Sequence, residues 1–169
     1  MAKLEFKMSR GGVFVADIFV AKVPQTWKLL TAFLPQTIKG YNARWSGRET
    51  HTPLSLPTKP LRENQTSQMG IGDVLYGREW EDRDYTGFEA IGWFYAAEVV
   101  RDWRGLHAVN HIGRIQPQYW ALIEEVGLRI WREGGEDCTM RNERLSFSSL
   151  ESHAQSYASF SFSLRIRSQ

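Results

Sequence analysis

The chain has 169 residues, 42% hydrophobic and 24% charged, with Lys+Arg 21 against Asp+Glu 19. That profile excludes a disordered or collagen-like chain and suits one globular domain with a single core. A formal charge of +2 and a pI near 8.8, with no basic stripe, argue against a nucleic-acid partner. Cys138 is the only cysteine, so no internal disulfide forms and the composition suits a reducing, cytoplasmic location. The longest apolar run, Ile91 to Ala97, is too short to span a bilayer, and Asp17 interrupts the stretch that an export signal would need. No membrane partner is expected.

Leu4, Phe6 and Met8 alternate with polar residues, Gly11-Gly12 interrupts, and a β-branched and aromatic run follows from Val13 to Val20, which predicts a hairpin. Pro24 suits the first turn of a helix carrying Trp27, Leu30, Thr31 and Leu34 at helical spacing, before Pro35 stops it. A second hairpin is predicted around the turn Ser46-Gly47, from Tyr41 to Thr52, followed by a proline-containing loop from Ser55 to Pro60. Strand signals return at Asp73 to Tyr76, Phe88 to Ala97 and Leu106 to Ile115, where Glu89 shares a face with Ile91, Trp93 and Tyr95. Pro117 opens a second helix with the apolar stripe Tyr119, Leu122, Ile123, Val126 and Ile130, ended by Gly134-Gly135. From Glu136 the sequence turns serine-rich, although Phe160, Phe162, Leu164 and Ile166 alternate like an extra strand. A β-rich body with one early and one late helix suggests a barrel or curled sheet covered by helices. The domain is drawn at 1–135, with 136–169 as an extension that is either an added strand or a disordered tail.

Most catalytic patterns are absent. There is no nucleophile elbow and no Walker loop, and Gly70-x-Gly72 lacks the third glycine of a dinucleotide fingerprint, so no cofactor is expected. His107 and His111, four apart on a strand, stand about 13 Å from one another, too far for one ion, and no metal site is expected. Cys138 lies beside acids that oppose a thiolate.

Several short motifs recur together: Val23-Pro24-Gln25-Thr26-Trp27 with Phe33-Leu34-Pro35, Ala43-Arg44-Trp45-Ser46-Gly47, Glu63-Asn64, and Ala108-Val109-Asn110 with Gly113-Arg114-Ile115. Over residues 3 to 133 this set resembles small bacterial proteins of cyclophilin-like fold and unassigned function. The resemblance implies a closed antiparallel barrel of about eight strands capped by two helices. Arg44 falls near the position of the prolyl isomerase arginine, but Asn42-Ala43 stands where cyclophilins have Phe-His, and no Gln-Gly-Gly-Asp follows. Prolyl isomerase activity is therefore not expected to carry over with the fold.

The leading expectation is a barrel pocket that binds, and could convert, a small anionic metabolite. Arg44, Trp45, Asn64, Tyr95, Asn110 and Arg114 are the candidate ligand contacts, since a guanidinium among amide and phenol donors suits a carboxylate. Glu63 and Glu89 are the candidate catalytic groups, either of which becomes an acid or base if burial raises its pKa. Plainer roles stay open: both arginines could pair with these glutamates, Trp45 could be core, and the asparagines could bond strand backbone. Two further readings are a groove for proline-containing peptides, with or without prolyl isomerisation, and a subunit of a homo-oligomer joined through the alternating tail.

Overall fold

The structure, a computed structural model, describes residues 2–80 and 87–143. Its principal strands are β1 (Lys3–Met8), β2 (Val13–Ile18), β3 (Gln36–Asn42), β4 (Glu49–Pro53), β5 (Asp73–Arg78), β6 (Glu89–Phe94), β7 (Val109–Ile115) and β8 (Glu136–Asn142). Helix α1 (Pro24–Phe33) follows β2, and α2 (Trp120–Glu133) lies between β7 and β8. The strands are antiparallel neighbours in the order β2–β1–β8–β3–β4–β6–β5–β7, and β7 returns to β2 by pairing Gly113 with Ile18 and Ile115 with Ala16. This is the closed eight-stranded barrel with two helices that the resemblance implies, and one of the two forms, barrel or curled sheet, that the residue pattern suggests.

Alternation along the strands decides what fills it. Leu4, Phe6, Phe14, Tyr76, Ile91, Trp93, Ile112 and Met140 point inward and are almost wholly buried. Phe14 stacks on Phe6 at 5.3 Å and meets Trp93 edge-on at 5.2 Å, so the interior is packed with side chains. Trp27 and Leu30 of α1 and Ile123, Val126 and Ile130 of α2 join the same core. No helix among the described residues is long and apolar enough to cross a membrane.

Strand β8 lies beyond the boundary at residue 135 that the sequence suggests. It pairs with β1 on one side and β3 on the other, so the barrel extends to Asn142. Its inward positions are Glu136, Cys138 and Met140, and the first of these is a carboxylate held by Arg129 at 2.8 Å and by the backbone N–H of Arg10 at 2.9 Å. Cys138 is 1% exposed, and burial pushes its thiol up to about 12. The alternating segment Phe160 to Ile166 lies outside the described residues.

Candidate functional site

The outward face of the same strands carries a second, smaller apolar cluster of Met69, Leu75, Phe94, Val100 and Val109. Between β6 and β7 the chain is laid over this face as a strap. The strap is fixed by short ladders, Gln68–Met69 with Glu98–Val99 and Arg101–Asp102 with Gly105–Leu106, and by the Val100 N–H bonded to the Ser67 carbonyl at 2.8 Å. Ser46, in the turn between β3 and β4, ties turn to strap: its hydroxyl donates to the Arg101 carbonyl at 3.1 Å and accepts from the Arg101 N–H at 3.0 Å. Turn, strap and sheet enclose an open cleft of about 430 Å³. The barrel pocket expected from sequence is thus replaced by a cleft on the outside of the wall, because large side chains fill the inside.

Glu49 and His51 occupy successive outward positions of β4 and line this cleft. Glu49 is 5% exposed. A Cβ built on Gly92 of β6 would sit 2.6 Å from Glu49 Oε1 and 3.2 Å from Leu75 Cγ, so the carboxyl lies over a glycine and against a leucine. Among the described residues no cation pairs with it. Burial therefore raises its pKa to about 7, with the nearby Ser46 side chain acting more weakly in the opposite direction. Carboxyls near neutrality in a cleft are suited to moving protons. Gly92→Ala places a methyl group in that space, and the flexible end of Glu49 is what must give way. We expect a stability change within about 2 kcal/mol, with the titration of Glu49 returned toward ordinary carboxylate values, as NMR of the side-chain carboxyl would show.

His51 sits opposite Gly92, edge-on to Phe88 at 5.7 Å and tilted against Tyr41 at 6.2 Å. Desolvation lowers its pKa, so the ring is neutral at pH 7, and its buried Nδ1 has no hydrogen-bond partner among the described residues. Charge around the cleft is divided in two. Arg104 is committed, bridging Glu79 at 2.8 Å and Asp102 at 2.7 Å. Arg44 and Arg101 are exposed and, among the described residues, neither pairs with a carboxylate; Arg44 lies over the Trp131 ring at 5.9 Å. The aromatic lining includes Trp45 and Trp103, 66% and 65% exposed.

Of the residues that sequence reasoning selected, Arg44 and Trp45 line the cleft and the others do not. Glu63 caps α1, whose own cap residue Val23 offers no side-chain bond: its carboxylate accepts from the N–H groups of Gln25 at 3.0 Å and Thr26 at 2.8 Å. Asn110, fully buried, accepts from the Glu63 N–H at 2.9 Å and donates to the Thr26 hydroxyl at 3.0 Å and the Leu61 carbonyl at 2.9 Å. Asn64, at φ 46°, donates to the His111 carbonyl at 2.7 Å. These three form one clamp that docks α1 on β7.

Glu89 faces the core, accepting from the Tyr76 hydroxyl at 2.6 Å, the Leu56 N–H and the Lys59 ammonium, and thereby fastens the loop after β4. Tyr95 is core, with α2 approaching its ring at Gly127 and its hydroxyl accepting from Asn42 at 3.3 Å. Arg114 bonds Asp73 at 2.6 Å. Burial works against ionisation of Asp73, yet the bonds from His111 and Arg114 hold its carboxyl down at about 2. Sequence reasoning missed Glu49, His51 and Arg101. The available signal was two ionisable residues at i and i+2 on one strand face, where the alternate positions Thr50 and Thr52 point inward.

A family model described as "Protein of unknown function (DUF3830)" matches residues 8–142, most of the chain. The chain belongs to that family. The DUF3830 span ends at Asn142, the last residue of β8, so it contains the whole cleft and all of the barrel wall except β1, of which it includes Met8 alone. Curated proteins give no match. Among solved structures, McbB in complex with tryptophan is similar in fold, with a TM-score of 0.64 at 17% identity over 85% of this chain and 46% of that one. This chain therefore spans less than half of McbB. A hypothetical protein, AF2241 from Archaeoglobus fulgidus, is similar with a TM-score of 0.54 at 18% identity, over 83% of this chain and 93% of that one.

Proposed function

We propose that the outer cleft binds a small aromatic molecule bearing a carboxylate and that the proton on Glu49 is exchanged in the bound state. The observation that carries this reading is the Glu49 carboxyl itself, buried on the cleft wall, unpaired by any cation among the described residues and raised to about 7. A buried carboxyl without a partner destabilises the fold, so its placement in a cleft is what a working acid or base requires. Arg44 and Arg101 supply guanidinium groups for the anion, while Trp45, Trp103 and Phe88 supply ring surface. McbB, which shares the fold, is known in complex with tryptophan, an aromatic molecule with a carboxylate. Within this reading the barrel remains akin to the cyclophilin-like proteins, with a cleft that serves small molecules and a chain that works in the cytoplasm.

The test is calorimetric titration with indole-3-acetate and L-tryptophan at pH 7 in two buffers of different ionisation enthalpy. Binding is expected with a proton taken up or released, and Arg101→Ala or Arg44→Ala is expected to weaken it roughly tenfold, the worth of one charge-assisted hydrogen bond. Absence of binding by either probe, with binding of a proline-containing peptide in its place, would replace this reading with the peptide groove.

A further inference from the structure

Glu49 and His51 line the cleft from successive positions on one strand face, and among the described residues no charged partner claims either. Glu79, Asp102 and Arg104 satisfy one another. Glu49 has no cation, and the imidazole of His51 has no hydrogen bond among the described residues. On a strand, positions i and i+2 stand about 7 Å apart on one face, so the two groups can touch adjacent atoms of one small molecule. The tautomer of His51 follows from its surroundings. Its Nδ1 is enclosed without a partner, and a buried N–H left unpaired costs more than a buried lone pair. The ring proton is therefore assigned to Nε2.

A neutral imidazole donor beside a carboxyl that carries protons is the equipment for removing a proton next to a carbonyl. We propose that Glu49 and His51 are an enolising pair and that the ligand class of the cleft is the aromatic 2-oxo acids. This rests on the reading of the cleft as an aromatic carboxylate site. Arg44 and Arg101 take the carboxylate, and the ring lies among Phe88, Trp45 and Trp103. The 2-oxo oxygen accepts from His51 Nε2–H. Glu49, as carboxylate, removes one proton from the carbon next to the oxo group. The C–H electron pair becomes the C=C bond of the enolate, the oxo C=O bond becomes C–O⁻, and that oxygen is held by the His51 donor. Returning the proton from Glu49 to carbon restores the oxo acid; delivering it to oxygen yields the enol. Nothing is oxidised or reduced, and no co-reactant is consumed.

The experiment is deuterium wash-in at C3 of phenylpyruvate and indole-3-pyruvate in D2O near neutral pD, followed by proton NMR, with pyruvate as the control without a ring. The protein is expected to accelerate exchange of the aromatic acids above the buffer rate and to leave pyruvate near it. Glu49→Gln is expected to lower the catalysed rate by about 10² or more, the usual worth of a general base. His51→Leu is expected to lower it by about 10² with affinity unchanged within about threefold, and His51→Gln, which retains a donor near Nε2, to recover part of the loss. Phenylpyruvate that binds without exchange, or exchange untouched by Glu49→Gln, overturns the enolising pair while leaving the cleft as a binding site. Failure of indole-3-acetate and phenylpyruvate alike to bind overturns both.

Discussion

Glu49→Gln is expected to make the protein more stable above neutral pH, by about 3 kcal/mol at pH 8, while removing proton exchange from ligand binding. The sign follows from the raised pKa, about 7 in the fold against 4.5 for the ordinary side chain. Between these values the folded protein holds a proton that the unfolded chain has released, so stability falls as pH rises through that window and levels off above 7. At about 1.36 kcal/mol per unit the difference amounts to about 3 kcal/mol. The substituted glutamine would fill the same space without a charge, so that contribution disappears. Below pH 5 the two proteins should be nearly equal in stability. The other ionisable groups of the cleft do not reproduce this pattern. Desolvation lowers the pKa of His51, so its contribution to stability runs the other way with pH, and Glu79 and Asp102 are tied to Arg104. Urea unfolding of both proteins from pH 5 to 8 is the measurement, and parallel curves would show that Glu49 is ionised in the fold. A residue whose removal stabilises the scaffold is the kind that function, not folding, keeps in place.

The fold was more legible than the site, and the reasons differ. Phe14, Ala16 and Ile18, or Ile91 and Trp93, announce inward faces because burial demands apolar side chains at alternate positions. Strand β8 was obscured because its first inward residue is Glu136, which is tolerable only where Arg129 and Arg10 converge on it. Those partners lie in other elements and no local pattern reveals them. Strand β3 is legible only near its end, since Gln36 to Lys39 include a single apolar residue, Ile38, and take their order from pairing with β8.

At the site, Arg44 and Trp45 are legible because they stand in the motif Ala43-Arg44-Trp45-Ser46-Gly47 and a guanidinium suits a carboxylate. Glu63 reads from sequence as a candidate acid or base and Asn64 and Asn110 as candidate ligand contacts, but all three direct their hydrogen bonds at backbone groups around α1 and β7. Nothing in the local run Arg48-Glu49-Thr50-His51-Thr52 sets Glu49 apart. What makes it special is the absent side chain at Gly92, on a strand some forty residues away in sequence and a diagonal neighbour in the sheet.

The same distinction gives the largest expected loss of stability. Asn110→Ala should destabilise the protein by about 3 to 5 kcal/mol, lowering Tm by roughly 10 °C. The side chain is fully enclosed and its amide joins three segments, bonding Thr26 of α1, the Leu61 carbonyl and the Glu63 N–H. Truncation leaves that carbonyl and that N–H without partners, and it loosens the backbone from which Glu63 caps α1. Asn110→Asp should be no better, because an oxygen would then face the Leu61 carbonyl where a donor is required. Arg114→Ala is the contrast. Its side chain is 51% exposed, and Asp73 keeps its bonds from His111 and the Gly70 N–H, so the loss should stay near about 1 kcal/mol. Denaturant unfolding of the variants separates the two cases. The Asn110 clamp lies away from the cleft, so the folded fraction of Asn110→Ala should bind indole-3-acetate with the affinity of the unsubstituted protein. Affinity lost in proportion to stability would instead place Asn110 in the ligand site.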